Sequence, residues 1–177
     1  MTTYAAFLRG VNVGGKSIVS MAELKSSFES LGYTHVTTYI NSGNIIFHAS
    51  GDPRAIERDI EAIIYKRFKI HTVAMVRTHH EMLDLLEHVP EEWLAAEGYT
   101  LEFLFLGRDI DSPEILKQIT PKDDMEELLY FPGALLWHFA TDAKTRSSVL
   151  KINTMPLYQQ ISVRTSGTVR KLTELMQ

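Results

Sequence analysis

The stretch Val36-Thr37-Thr38-Tyr39-Ile40-Asn41-Ser42-Gly43-Asn44-Ile45-Ile46-Phe47 decides the fold. Two β-rich runs, Val36 to Ile40 and Ile45 to Phe47, flank Asn41-Ser42-Gly43-Asn44, residue types that turn a chain back on itself. Working outward toward the N-terminus, Ser20-x-x-Glu23 is a capping box, in which each side chain can bond a free backbone N–H of the helix start. That helix carries Leu24, Phe28 and Leu31 on one face and stops at Gly32. Before it, residues 3–9 form an apolar run bounded by Gly10, the pattern of a buried strand. On the other side, Asp52-Pro53 opens a helix with Ile56, Ile60, Ile63, Ile64 and Phe68 on its stripe. Thr72 to Val76 then closes a β-α-β-β-α-β unit.

The same order recurs about 90 residues later, as a duplication would give. Leu101 to Leu106 reads as a buried strand, and Ser112-Pro113 caps a short helix bearing Ile115, Leu116 and Ile119. Glu127 to Phe131 and Ala134 to Ala140 form a hairpin around Pro132-Gly133. A helix follows Thr141-Asp142, Ile161 to Arg164 is the last strand, and a terminal helix starts near Ser166. Thr78-x-x-Glu81 caps a linking helix, followed by a connection from Pro90 to Gly98. The expected fold is α+β: two tandem ferredoxin-like repeats, 1–77 and 100–177, joined through 78–99. A single doubly wound α/β sheet is the alternative, because βα alternation alone does not set strand direction.

Composition bounds the function. Of 177 residues, 45% are hydrophobic and 23% charged, which excludes disordered, collagenous and coiled-coil chains. The absence of cysteine removes disulfides, thiol nucleophiles and Fe–S ligation. No apolar run approaches a membrane span, and Met1 to Arg9 does not read as a signal peptide, so the expected location is cytoplasmic. The net charge of −4 argues against coating nucleic acid by charge. It hides an uneven distribution. Residues 91–127 hold eleven acidic and three basic side chains, whereas 143–173 hold six basic residues and no acid. Residues 1–22 contain Arg9 and Lys16, again without an acid.

Gly10 to Ser17 fits the phosphate-loop pattern G-x-x-x-x-G-K-S behind a buried strand. That chemistry needs Lys16 and Ser17 to open a helix whose N–H groups face the phosphates. The capping box instead starts the helix near Met21, and no well-placed Asp offers itself for Mg²⁺. A glycine-rich loop of another kind is the better reading.

Phe7-Leu8-Arg9-Gly10-Val11-Asn12-Val13-Gly14-Gly15-Lys16, Met21-Ala22-Glu23-Leu24, Leu31-Gly32-Tyr33 and Thr38-Tyr39-Ile40-Asn41-Ser42-Gly43-Asn44-Ile45-Ile46-Phe47 resemble the bacterial family known as domain of unknown function 1697. A second signature of that family usually reads Arg-Asn-Trp-Asn-Thr-Val-x-Lys-Leu. Here it stands as Arg164-Thr165-Ser166-Gly167-Thr168-Val169-Arg170-Lys171-Leu172, with Thr-Ser-Gly in place of the central Asn-Trp-Asn. The resemblance implies two ferredoxin-like repeats and supplies no reaction and no cofactor.

Other constellations are weaker. His80, Asp84 and His88 recur at helical spacing, but side chains eight apart are about 12 Å distant, too far for one ion; no metal site is assigned. His35, His48, His71 and His138 lie in or beside strands. Asp123-Asp124 and Glu126-Glu127 read as a solvated loop and strand start. Tyr39, Phe47, Phe103, Phe105, Trp137 and Phe139 fall on strands, which raises RNA or single-strand binding as an alternative, or a protein-interaction module. The RNA-recognition signature is absent, and such faces more often pack as core.

The working expectation is a binding site for a small anionic or phosphorylated ligand. Arg9, Lys16, Arg164 and Lys171 would supply charge. Asn12, Ser17, Asn41, Ser42, Asn44 and Thr168 would orient the ligand, with Gly14, Gly15 and Gly43 allowing close backbone approach. No general base or nucleophile stands out, so no catalytic role is assigned; a phosphate-loop nucleotide enzyme is the alternative.

Overall fold

The hairpin at Asn41 forms and sets the direction of its neighbours. In the computed structural model, which describes residues 1–13, 18–119, 121, 125–142 and 152–177, Tyr39 pairs with Asn44 across a turn of residues 40–43. The chain divides into two units, Met1–Met82 with Lys171–Gln177, and Leu83–Arg170.

In the first unit, β1 (Thr2–Leu8), β2 (Thr34–Tyr39), β3 (Asn44–Ala49) and β4 (Ala74–Thr78) form an antiparallel sheet in the order β2-β3-β1-β4. Helices α1 (Met21–Glu29) and α2 (Pro53–Phe68) lay Leu24, Phe28, Ile56, Ile60 and Ile64 against Tyr4, Ala6, Leu8, Ile45 and Phe47. Alternate residues of β1 and β3 share that face because strand side chains alternate, and each large aliphatic or Phe side chain among them contributes about 1.5–3 kcal/mol on burial. Ser20 Oγ accepts the Glu23 N–H at 3.1 Å and donates its own hydroxyl to Glu23 Oε2 at 2.7 Å. Asp52 caps α2 by accepting the Ala55 N–H at 3.2 Å.

Strand β4 starts two residues later than its sequence suggests, and two carboxylates of α2 explain where it begins. The N–H groups of Ala74 and Val76 are donated to Glu61 Oε1 at 2.9 Å and Glu57 Oε1 at 3.0 Å. These glutamates are four apart on α2, one turn of the same face. An edge strand is thereby denied to other strands by side chains of its own unit. Glu57 is buried, with Arg77 Nη1 3.9 Å from its Oε1.

The second unit contains α4 (Glu91–Ala95), β5 (Tyr99–Leu106), β6 (Glu126–Phe131), β7 (Ala134–Ala140) and β8 (Ile161–Thr165). Its antiparallel sheet has the order β6-β7-β5-β8. The linking helix α3 (His79–Glu87) and the terminal helix α5 (Ser166–Leu175) run from one unit into the other. The full reciprocal box opens α3: Glu81 N–H to Thr78 Oγ1 at 3.1 Å, Thr78 N–H to Glu81 Oε2 at 2.6 Å. Ser112 caps the short helix expected after it, which is a 3₁₀ turn, Pro113–Gln118. Ile115 and Ile119 pack there with Leu104, Leu106, Leu135, Trp137 and Phe139. The helix expected after Thr141-Asp142 falls in 143–151, outside the described residues.

Two expectations are corrected. A single doubly wound sheet does not form: the strands make two four-stranded sheets and every pairing is antiparallel. Turns as short as 40–43 and 132–133 can only join antiparallel neighbours. Glu126 is not solvated; it is buried, accepting the indole N–H of Trp137 at 3.1 Å.

Removing one partner of a buried charged pair costs more than the pair contributes. Glu57→Ala should therefore lower unfolding stability in urea by about 3 kcal/mol, and Glu61→Ala by about 1 kcal/mol. Tyr33 gives a second check. It stacks on Phe47 with centroids 4.9 Å apart, and its hydroxyl is buried without a hydrogen-bond partner among the described residues. Burial, then the charge of Asp59, pushes its pKa from 10.0 up to about 12. For an acid raised in the folded state, the stabilising contribution is complete below pH 10 and is lost as pH rises toward 12. Ultraviolet tyrosinate titration should show one late step that Tyr33→Phe abolishes.

Candidate functional site

The end of β1 brings three connections together. Leu8 N–H is donated to Gly43 O at 2.8 Å, and Arg9 N–H to Val73 O at 3.1 Å. The Thr72 hydroxyl donates to Arg9 O at 2.7 Å. The segment after β1 thus leaves the sheet between the β2–β3 turn and the α2–β4 connection. Thr72 gave no sign of this role in the sequence, where it reads as the start of a strand.

Asn12 ties this edge together. It sits in the left-handed region with φ 57°, which Asn tolerates better than most residues. Its Oδ1 accepts the Val19 N–H at 2.7 Å and its Nδ2 donates to Val19 O at 2.9 Å, so one carboxamide closes the loop from 12 to 19. The same Nδ2 donates to Asn41 Oδ1 at 2.8 Å, joining that loop to the hairpin turn. Within the turn, buried Asn44 donates from Nδ2 to Ser42 Oγ at 2.9 Å and to Tyr39 O at 3.4 Å. Gly43, at φ 68°, is needed by the chain itself: a Cβ there would lie 3.0 Å from Leu8 Cβ.

Six of the expected site residues, Arg9, Asn12, Asn41, Ser42, Gly43 and Asn44, therefore share one edge of the first unit. Gly14, Gly15, Lys16 and Ser17 lie outside the described residues. Lys171 belongs to the same unit, exposed, its Nζ 2.9 Å from Glu174 Oε2. The hydrogen bond and charge of Glu174 raise its pKa, and Tyr39, just before the turn, adds a smaller upward push. Arg164 and Thr168 belong to the second unit. Arg164 donates from Nη1 to Ser162 Oγ at 2.9 Å and Val163 O at 2.8 Å, and burial pushes its pKa down to about 10. Thr165 caps α5 by accepting the Thr168 N–H at 3.3 Å, so that N–H already has a partner.

The described parts of the three connections, 9–13, 40–43 and 69–73, contain no carboxylate, and the last adds Lys69 and His71. Donor groups without acids suit the binding of an anion. Of the strand aromatics, Phe47, Phe103, Phe105, Trp137 and Phe139 are buried and Tyr39 is half-buried. No helix among the described residues is long and apolar enough to cross a membrane.

A family model described as protein of unknown function (DUF1697) matches residues 1–137. The chain belongs to the DUF1697 family. The matched span holds the whole Arg9–Asn44 edge and ends before the Arg164–Leu172 stretch. Among solved structures, this DUF1697 chain is similar to that of a conserved bacterial protein, SP0830 from Streptococcus pneumoniae, at 26% identity and a TM-score of 0.86, covering 99% of both chains. No curated protein matches it.

Asn12→Ala removes both bonds to Val19 and places alanine at positive φ, and should cost about 2 kcal/mol in urea unfolding. Asn12→Gly should cost less, because φ is then unstrained. A double-mutant cycle of Asn12→Ala with Asn41→Ala should return a coupling of about 0.5–1.5 kcal/mol.

Proposed function

We propose that the edge of the first unit formed by Arg9, Asn12, Asn41 and Ser42 binds a small anionic ligand, carrying a phosphate or a carboxylate, in a cytoplasmic protein built of two ferredoxin-like repeats. The observation that carries this reading is the acid-free set of three connections among the described residues, tied to one another through Asn12 on the hairpin side and through Arg9 and Thr72 on the other. A site organised in advance loses less entropy on binding. Lys16, Ser17, Gly14 and Gly15 would join the same edge from the loop that Asn12 closes, and Lys171 would extend it.

The second unit supplies the contrast. Leu106 N–H is donated to Gly133 O at 3.0 Å and Gly107 N–H to Gln160 O at 2.8 Å, the counterparts of the Leu8 and Arg9 bonds. The two sheets share one strand order, and β3 and β7 begin ninety residues apart, at Asn44 and Ala134. Both facts support a duplicated repeat. Where the first unit uses a neutral carboxamide to hold its turn, however, the second uses Asp111, whose Oδ1 accepts from Gly133 N–H at 2.8 Å and Tyr130 OH at 3.0 Å. Asp111 thus puts a negative charge where the first unit has none, in a connection that also carries Arg108 and Asp109.

A phosphate-loop enzyme is the poorer reading. Helix α1 begins at Met21, with the Ser20 side chain on its first turn and Glu23 within it. That N-terminus carries a negative charge where a phosphate would have to sit.

Thermal shift of the full chain with inorganic phosphate, citrate, ATP with and without Mg²⁺, and short oligonucleotides tests the proposal. A ligand at a hundred times its Kd should stabilise by about 2.7 kcal/mol. The shift should be independent of Mg²⁺ and lost in the Arg9→Ala, Lys16→Ala double variant, with Arg164→Ala and Thr168→Ala scored separately. No shift with any anion overturns the anion reading; a shift confined to Mg²⁺-ATP and abolished by Lys16→Ala favours the enzyme, and one confined to oligonucleotides favours strand binding.

A further inference from the structure

We infer that His35 and His48 form a surface site for a divalent transition-metal ion that seeks imidazole, Cu²⁺ foremost. The inference rests on strand geometry at the opposite end of the β2–β3 hairpin from its turn. Thr34 pairs with His48 and Thr37 with Ile46, so two residues, His35 and Val36, oppose the single residue Phe47. This is a β-bulge, which re-aims a side chain. Val36 and Phe47 are both buried in the core of the unit, so the supernumerary residue is His35. Its backbone is left-handed, φ 52°, and its exposed ring lies over that of His48 with centroids 4.4 Å apart and planes 28° apart.

One ring nitrogen has an outer partner. The Thr34 hydroxyl donates to Met1 Sδ at 3.8 Å, and its oxygen lies 3.4 Å from His35 Nδ1. With the proton on Nδ1, His35 presents the lone pair of Nε2. A ligating histidine whose second nitrogen is held by an outer partner has this arrangement. Two imidazole nitrogens on one ion at bonds of about 2.0–2.1 Å must approach more closely than the stacked rings do. Rotation about the soft terminal torsion of each side chain supplies that. The half-buried His48 and exposed His35 leave room for water to complete the coordination, and the Met1 thioether, already drawn to Thr34, is a soft donor at the same place. Among the described residues there is no group of three His, Asp or Glu side chains able to hold a metal. The site is therefore a two-imidazole one, and Cu²⁺ is first in order because it binds a given nitrogen set most tightly among the divalent first-row ions.

The test is titration of the full chain with Cu²⁺ alone, read by electron paramagnetic resonance for nitrogen coupling and by competition with a chromophoric chelator. One ion should bind with two coupled nitrogens. His35→Asn keeps a residue that tolerates positive φ and so preserves the bulge. It and His48→Gln should each weaken binding at least about tenfold, with the far-ultraviolet circular dichroism unchanged. His80→Ala and His88→Ala should leave it unaltered. Equal affinity in the His35→Asn, His48→Gln double variant, or a loss that follows His80 or His88 instead, overturns the inference. Phosphate binding is read separately, so either proposal can fail without the other.

Discussion

Strand β1 is hydrogen-bonded along both edges, and the first unit is arranged around that requirement. A buried strand cannot leave its N–H and C=O groups unpaired, so Thr2–Leu8 needs one partner on each side. It finds β3 through the hairpin and β4 through the second helix. Both partners are antiparallel, which brings the start of β3 and the start of β4 to the same end as Leu8. Three connections consequently emerge side by side, whatever their sequences. The site is thus a consequence of topology first and of side chains second.

The side chains then determine what kind of edge it becomes. Leu8 and Arg9 bond backbone to the two neighbouring connections, and Gly43 is small enough to let Leu8 come within van der Waals contact. Asn12 completes the arrangement by closing its own loop on Val19 while reaching Asn41. Each of these bonds is worth about 1 kcal/mol, but all act on one short segment, so their joint effect is to restrict its conformations rather than to add stability. The β4 edge is handled separately, by Glu57 and Glu61 from α2.

Local features were legible in the sequence because their cause is local. The turn 40–43, the capping residues Ser20, Asp52, Thr78 and Ser112, and the apolar stripe of α2 each depend on residues within four positions of one another. The start of β4 was not legible, since it depends on carboxylates thirteen and nineteen residues away. Glu57 and Glu126 look like ordinary surface acids; partners distant in sequence, among them the N–H groups of Val76 and Trp137 and the Arg77 guanidinium, make their burial favourable. The short helix Glu91–Ala95 sits in a stretch with Pro at its start and Gly at its end, where composition signals a connection. At the site, the residue types were legible as polar and glycine-rich, whereas the pairing of Asn12 with Val19 and Asn41, and the part played by Thr72, were not. Long-range hydrogen bonds leave no periodicity behind.

The two units show why residue chemistry, and not architecture, has to carry a functional reading. Their central strands end in matching pairs of backbone bonds, to Gly43 and Val73 in one and to Gly133 and Gln160 in the other. At the point where the loop must grip the hairpin turn, one unit has Asn12 and the other Asp111. A carboxamide donates and accepts, so Asn12 can satisfy Val19 on both sides and still reach Asn41. A carboxylate only accepts, so Asp111 takes the Gly133 N–H and the Tyr130 hydroxyl instead. The first choice puts no charge at that grip and the second puts a negative one. Averaged over the chain, this difference disappears into a net charge of −4; resolved at these two positions, it sets a neutral carboxamide against a carboxylate.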